Sequence, residues 1–412
     1  MKKILIILDG AAGLPHKFLG NKTSLESAET PNLDFFAKNG KMGYMYPIDE
    51  KTIPGSDNSL ISLFGNDFKK CKRGVYEAIG SGIELKRGDI AFRVNFGTID
   101  NLKNKIVLDR RAGRTLTTKE AGLLAKSLNE KIKLPCKFEF KSTIQHRGVL
   151  VLRGGFSDNI SNVDPEWSPG SVNKFRFAVP FDDDENSKYT ANVLNDFLFQ
   201  AYNLLQNHFV NKIRKKKGLL PANFVFSRGG GIEKPRLKQY RTWMSINPMP
   251  LEIGISKLSS MKVFSFPYPD LKKIDVYSTL YEGLNKSIKF AIKTIKKQHK
   301  HYNGCYLQFK ETDIPGHDNK PHEKKKMIGL IDKKFFGFLK NFSEKENIKI
   351  VITCDHSTPC KLKSHSAHPV PVLVYDGKEK DKTKRFTEKE SKKGSLGKMF
   401  GRDFIQKTGL NR

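Results

Sequence analysis

The chain has 412 residues, 38% of them apolar, and carries 74 Lys+Arg against 43 Asp+Glu, a formal net charge of +31. This length allows two compact units and a sizeable core, and a membrane-spanning chain is excluded because no apolar stretch approaches the ~20 residues of a bilayer span. The cationic excess would attract polyanions, but runs such as Lys215-Lys216-Lys217 and Lys324-Lys325-Lys326 read as solvated faces, and no basic patch interleaved with aromatics is present, so no specific nucleic-acid partner is expected.

At the start of the chain, Met1-Lys2-Lys3 and the apolar run Ile4 to Leu8 imitate a signal peptide, but the run ends too soon at Asp9 and reads as a buried first strand. Pro54-Gly55-Ser56-Asp57-Asn58-Ser59 precedes the helical pattern Leu60, Ile61, Leu63, Phe64, where a Ser or Asp most simply caps the helix. From about Asp109 to Asp184 the texture changes. A helix at Thr118–Asn129, strands at Cys136–Ser142 and Gly148–Arg153, a loop rich in Gly, Asp, Pro and Ser at Gly154–Gly170 and an acidic knot at Asp182–Glu185 predict a small α+β unit. It is read as residues 109–184, inserted into a larger unit made of 1–108 and 185–412.

Further along, Ser227-Arg228-Gly229-Gly230-Gly231 has the look of a phosphate-cradling turn, though GxxxxGK[ST] and a GxGxxG after a first strand are both missing, so no nucleotide is expected. Leu284, Ile288, Ala291, Ile292 and Ile295 mark one face of a helix, and Met327, Leu330 and Ile331 begin another. Cys305–Phe309, Ile348–Cys354 and Val370–Tyr375 read, like Ile4–Leu8, as buried parallel strands, so the fold class is α/β with helices on both faces of a mostly parallel sheet. Gly377–Lys384 reads as a loose lysine-rich loop. The five scattered cysteines (Cys71, Cys136, Cys305, Cys354, Cys360) have the pattern of reduced thiols in a cytoplasmic protein.

The chemistry concentrates after the strands. Ile4–Leu8 runs into Asp9-Gly10, Cys305–Phe309 into Thr312-Asp313 and Gly316-His317, and Ile348–Cys354 into Asp355-His356, with His365 a little further on. Ligands bind beyond the carboxyl ends of strands in parallel α/β sheets. Carboxylate oxygen with imidazole nitrogen suits Zn, Mn or a similar divalent ion. A helix start at Ser56 would favour a phosphoryl anion, and a bound ion would activate its hydroxyl. Asp109-Arg110-Arg111-Ala112-Gly113-Arg114 and His146-Arg147 supply cations suited to carboxylate and phosphate.

Taken together, these stretches resemble the archaeal-type 2,3-bisphosphoglycerate-independent phosphoglycerate mutases of the alkaline phosphatase superfamily. The resemblance is carried by Pro54-Gly55-Ser56-Asp57, Asp109-Arg110-Arg111-Ala112-Gly113-Arg114, His146-Arg147-Gly148, Thr312-Asp313, Gly316-His317-Asp318 and Asp355-His356-Ser357-Thr358-Pro359-Cys360. It implies an alkaline-phosphatase-like core with an inserted lid. Asp9, Ser56, Asp355 and His356 would hold one divalent ion and Asp313, His317 and His365 a second, with manganese the first choice and zinc, cobalt or magnesium the alternatives. Ser56 would carry the phosphoryl group between the 3- and 2-positions of glycerate, in glycolysis or gluconeogenesis and without 2,3-bisphosphoglycerate. Arg110, Arg111, Arg114, His146, Arg147 and Arg228 would hold the substrate's anionic groups, with Asp109 on its hydroxyls. Asn58-Ser59-Leu60, Lys72-Arg73-Gly74 and Ala11-Ala12-Gly13 depart from the family's usual residues. They leave two alternatives: a phosphatase or phosphomutase for another small metabolite, and an inactive polyanion-binding homologue. No membrane partner is expected, and the sequence sets no oligomeric state.

Overall fold

Near-continuous apolar segments can be strands only if both of their faces are covered. In the computed structural model, which describes residues 1–70, 72–165, 173–271 and 275–411, this holds for the centre of the larger sheet. Its strands are β1 (Lys3–Leu8), β2 (Lys41–Tyr46), β8 (Trp243–Ile246), β9 (Lys262–Phe264), β10 (Gly304–Phe309), β11 (Lys349–Thr353), β12 (Val370–Tyr375) and β13 (Gly397–Phe400). They lie in the order β13-β2-β12-β11-β1-β10-β8-β9. Strands β11, β1, β10, β8 and β9 run parallel, whereas β12 pairs antiparallel with both β11 and β2. The parallel orientation expected for Val370–Tyr375 is thus corrected: a strand buried on both faces reads the same in either direction. The apolar stripe around Leu284, Ile288 and Ile295 belongs to the helix Val276–Gln298 and packs into this core.

A second, antiparallel sheet is built from β3 (Ile90–Ile99), β4 (Val107–Asp109), β5 (Lys137–Ser142), β6 (Arg147–Arg153) and β7 (Phe224–Gly231). Its own core runs from Ile90 to Phe226 and takes in the helices Thr118–Lys131, Glu185–Gln206 and Phe209–Lys216. The second core therefore reaches beyond the 109–184 segment drawn from composition. Strands β3 and β7 pair residues far apart in the chain, from Gly97 with Phe224 to Ala91 with Gly231, and local texture does not reveal such a pairing. The acidic knot has a local role, since Asp184 caps the helix Glu185–Gln206. The glycine run Ser227–Gly231 is the end of β7 and not a phosphate loop. The Gly377–Lys384 segment is tied down: Asp381 N–H donates to Gly40 O, and Thr383 Oγ1 donates to Ala37 O. Residues 166–170 of the expected 154–170 loop, and Cys71, lie outside the described residues. Cys136, Cys305, Cys354 and Cys360 are free thiols. Among the described residues no helix is long and apolar enough to cross a membrane.

The two units meet at the helix Arg73–Gly80, which packs on β3 of the second sheet and on the helix Pro250–Leu258 of the first. Close approach here needs glycine: a Cβ on Gly80 would lie 1.7 Å from Pro250 O, and one on Gly254 2.0 Å from Tyr76 O. Elsewhere in the second unit, Arg214 is wholly buried and spans two elements. It donates to Leu220 O, Thr115 O and Ala112 O and pairs with Glu120 at 3.2 Å. It therefore fixes the turn that carries Arg110, Arg111 and Arg114. Replacing Arg214 with Met removes its bonds to those carbonyls and its ion pair with Glu120. Urea denaturation is expected to show a loss of about 3 kcal/mol, and an unchanged midpoint would contradict this role.

Candidate active site

Strands β11, β1 and β10 lie side by side and parallel, so their carboxyl ends open on one edge of the sheet. Asp9 follows β1, Asp355 follows β11, and Asp313 opens the short helix Asp313–His317 after β10. Asp9 and Asp355 are almost wholly buried. Gln308 Nε2 bridges them, donating to Asp9 Oδ2 at 2.9 Å and to Asp355 Oδ2 at 3.0 Å. The other oxygen of Asp355 accepts from the N–H groups of Gly10 and His356, both at 3.0 Å. Lys310, at the end of β10, pairs with Asp9 and, at 2.9 Å, with Glu252. Burial and the neighbouring Asp355 push the Asp9 carboxyl well above its usual range, and burial raises Asp355 to about 6. For Lys310, burial works against the charge, but Asp9 and Glu252 more than offset it and hold the ammonium on.

Three imidazoles converge on these carboxylates with the same polarity. His317 Nδ1 bonds Lys363 O at 3.0 Å, His365 Nδ1 bonds Pro54 O at 2.8 Å, and His356 Nδ1 bonds Thr358 Oγ1 at 3.0 Å. A ring nitrogen facing a carbonyl must carry the proton, so in the neutral form of His317 and His365 the Nε2 lone pair points inward. Those Nε2 atoms lie 3.3 Å from Asp313 Oδ2 and 3.6 Å from Asp313 Oδ1, respectively. His356 Nε2 lies 3.5 Å from Asp9 Oδ1, a buried oxygen without a hydrogen-bond partner. Tethering one nitrogen and leaving the other bare is how proteins orient metal-binding histidines. Among the described residues two groups of donor atoms are compact enough for an ion: Asp313, His317 and His365, and Asp9, Asp313 and His356. The donor set therefore fits hard-to-intermediate divalent ions. The Asp313 carboxyl would be raised by burial, but His317 and His365 overturn this and hold it well below its usual range, while Asp313 in turn raises His317. Burial and the neighbouring His365 lower His356.

Ser56 is decided by geometry. Gly55 is the N-cap of the helix Ser56–Leu63, and Ser56 is its first helical residue, so its hydroxyl does not cap the helix. The Oγ lies 3.1 Å from His356 Nε2 and faces the carboxylate cluster. Behind it, Ser59 Oγ donates to Asp355 O, so one of the residues that departs from the family's usual pattern supports the backbone of a cluster residue.

Ser56, Asp313, His317 and His365 also line a cavity of about 270 Å³ between the two units, whose other wall is cationic. Arg110, Arg111, Arg114, His146, Arg147 and Arg228 all line it. Arg110 and Arg228 face Asp164 at 2.6 and 3.6 Å, and Arg114 reaches across to Asp318 at 2.6 Å. Among the described residues Arg111 and Arg147 have no carboxylate within 4 Å. Burial and the adjacent Arg114, Arg147 and Arg110 push Arg111 down to about 10, and burial with Arg147 beside it keeps His146 neutral. Such a wall suits carboxylate and phosphate groups. Asp109 is not among the lining residues: its Oδ1 accepts from the N–H groups of Arg111 and Gly113, at 2.6 and 2.9 Å, and shapes the arginine turn. The sequence reading missed Gln308, Lys310 and Glu252, and also Arg73 and Arg93, which line the same cavity and share Glu77. Only Lys310 had a legible signal, its position directly after a strand that leads into the cluster.

Residues 37–211 match the family model described as 2,3-bisphosphoglycerate-independent phosphoglycerate mutase. A protein of that name from Pyrococcus abyssi is 38% identical over 410 residues, covering 98% of this chain and 96% of its own length. One from Methanosphaera stadtmanae is 34% identical over 415 residues, covering 98% and 96%. Among solved structures, the cofactor-independent phosphoglycerate mutase of Thermoplasma acidophilum aligns over the whole of both chains with a TM-score of 0.60 and 29% identity. A Pyrococcus horikoshii protein aligns over 99% of this chain and 97% of its own with a TM-score of 0.75 and 28% identity.

The raised carboxyls make a prediction about pH. Asp355, moved from 3.8 to about 6, contributes stability to the metal-free protein that is full below pH 3.8 and lost as pH rises through about 6. A divalent ion binds the ionised form, so it should offset that loss. The rise in Tm produced by saturating Mn²⁺ is expected to be larger at pH 7.5 than at pH 5. A rise independent of pH would contradict the assignment of these carboxylates.

Proposed function

The chain belongs to the 2,3-bisphosphoglycerate-independent phosphoglycerate mutase family, and from that premise we propose that Ser56 carries the phosphoryl group between the 3- and 2-oxygens of glycerate. The enzyme is an isomerase. The observation that carries the mechanism is the joint placement of the Ser56 hydroxyl 3.1 Å from His356 Nε2, at a carboxylate–imidazole cluster and on the wall of an arginine-lined cavity.

Asp9, Ser56, Asp355 and His356 would hold one divalent ion, with Asp313, His317 and His365 holding another, and manganese is the metal we favour. Such ions, when bound, acidify the serine hydroxyl and stabilise charge on the transferring oxygens. Everything else falls to the chain. Arg111 and Arg147, the cations without carboxylate partners among the described residues, grip the substrate carboxylate and phosphate through planar bidentate contacts. Neutral His146 donates or accepts a hydrogen bond without adding charge. Ser56 Oγ attacks phosphorus and the bond from phosphorus to O3 breaks. Glycerate then turns in the cavity, its O2 attacks the phosphoserine, and the Ser56 hydroxyl is restored. The proton lost by Ser56 in the first step ends on O3, and the proton released by the attacking O2 hydroxyl in the second restores Ser56, so the isomerisation is balanced without a cosubstrate.

The second unit supplies the cationic wall and so acts as a lid. A water molecule that reached the phosphoserine would turn the enzyme into a phosphatase, so closure over bound glycerate is part of the reaction. Arg114 to Asp318 is one contact that joins the two walls. The substrate is a small metabolite, and a cytoplasmic setting suits it and the free thiols.

Replacing Ser56 with Ala tests the proposal. Interconversion of 3- and 2-phosphoglycerate is expected to fall by about four orders of magnitude or more, while Mn²⁺ still binds at the second ion group. Isomerisation surviving in that variant excludes Ser56 as carrier. Release of free phosphate by the wild-type enzyme without isomerisation favours the phosphatase alternative.

A further inference from the structure

Lys324 belongs to the run Lys324-Lys325-Lys326, which reads from sequence as a solvated face, yet it is 1% exposed. It lies in the helix Pro321–Ile331, packed beneath the site. A buried ammonium loses its hydration and has to recover that loss through its hydrogen bonds. Among the described residues no carboxylate lies within 4 Å of it. Its bonds run instead to two backbone oxygens, Thr358 O at 2.8 Å and Ala12 O at 3.2 Å.

These oxygens belong to the two loops that carry the buried carboxylates. Ala12 follows Asp9 after β1, and Thr358 follows Asp355 and His356 after β11. The loops are joined directly as well, since Thr358 N–H donates to Ala12 O at 3.0 Å. Thr358 is the branching point. Its hydroxyl donates to Asp313 Oδ1 at 2.8 Å and lies 3.0 Å from His356 Nδ1. The hydroxyl has one proton, which Asp313 takes, so His356 Nδ1 supplies the proton in the other contact and its Nε2 stays bare. Residues from both proposed ion groups thus meet at one side chain whose own carbonyl is held by Lys324. An apolar side chain of the same length would fill the space but tie neither loop.

We propose that Lys324 is a positioning residue: its buried ammonium clamps the loops after β1 and β11, and through Thr358 sets the orientation of Asp313 and His356 toward the bound ions. This inference rests on the two-ion reading above. Its consequence is specific. Loss of the clamp should weaken ion binding while leaving the cationic cavity, and hence the affinity for phosphoglycerate, intact.

The test is Mn²⁺ titration of the full chain by calorimetry, with circular dichroism to check folding, for Lys324→Met, Lys324→Arg and Thr358→Val. Lys324→Met is expected to bind Mn²⁺ about tenfold or more weakly. Its KM for 3-phosphoglycerate should be unchanged at saturating Mn²⁺, and Lys324→Arg should recover part of the affinity. Thr358→Val should weaken Mn²⁺ similarly, and the Lys324→Met effect should shrink in its presence, because both act through one chain of contacts. A folded Lys324→Met protein with wild-type Mn²⁺ affinity overturns the inference. Should that variant fail to fold, wild-type affinity in Thr358→Val overturns it equally. A wild-type protein that binds no Mn²⁺ would instead defeat the two-ion reading, a result distinct from either.

Discussion

The crowding of carboxylates at the carboxyl edge of three adjacent parallel strands is the constraint on which the rest of this molecule depends. Asp9, Asp355 and Asp313 are brought together because β11, β1 and β10 are neighbours in one sheet. Charges of one sign in a buried site repel, and desolvation penalises each of them further. The fold answers with Gln308 donating to two of them, Lys310 pairing with Asp9, and His317 and His365 set against Asp313. The asymmetry among the carboxyls follows from this arrangement: Asp9 and Asp355 are raised by burial, while Asp313 is held down by its histidines. A site of this kind is prepared for divalent cations.

Across the cavity the electrostatics reverse. The second unit presents Arg110, Arg111, Arg114, Arg147 and Arg228, and burial with mutual repulsion pushes Arg111 and Arg228 down to about 10. One wall therefore suits cations and the other anions, as the proposed phosphoryl transfer requires. The division between units matters for the proposed chemistry, because a wall on a separate core is able to close over a substrate. Buried side chains hold each wall in shape. Arg214 fixes the arginine turn, and Lys324 joins the loops of the carboxylate wall.

The sequence by itself determined the parts that depend on local order along the chain. Apolar runs without alternation can only be strands covered on both faces, so the α/β core was legible, and the acidic and imidazole residues directly after those runs had to emerge at the strand ends. The unbroken run Asp109 to Arg114 likewise had to present its cations together. Tertiary structure alone decided what depends on residues distant in sequence. Apart from the family resemblance, Ser56 read as a cap; in the fold Gly55 is the N-cap and the Ser56 hydroxyl faces His356, 300 residues away. Strand β12 runs antiparallel because its partners, not its own residues, set its direction. The pairing of β3 with β7 widened the second unit for the same reason. Asp109, read as a substrate contact, turns inward to its own backbone. Lys324 reads as surface in a lysine-rich chain, yet it is enclosed by a helix and two loops that only the fold brings together. Composition and periodicity report whether a residue can be buried, whereas what it meets once buried is fixed by long-range packing.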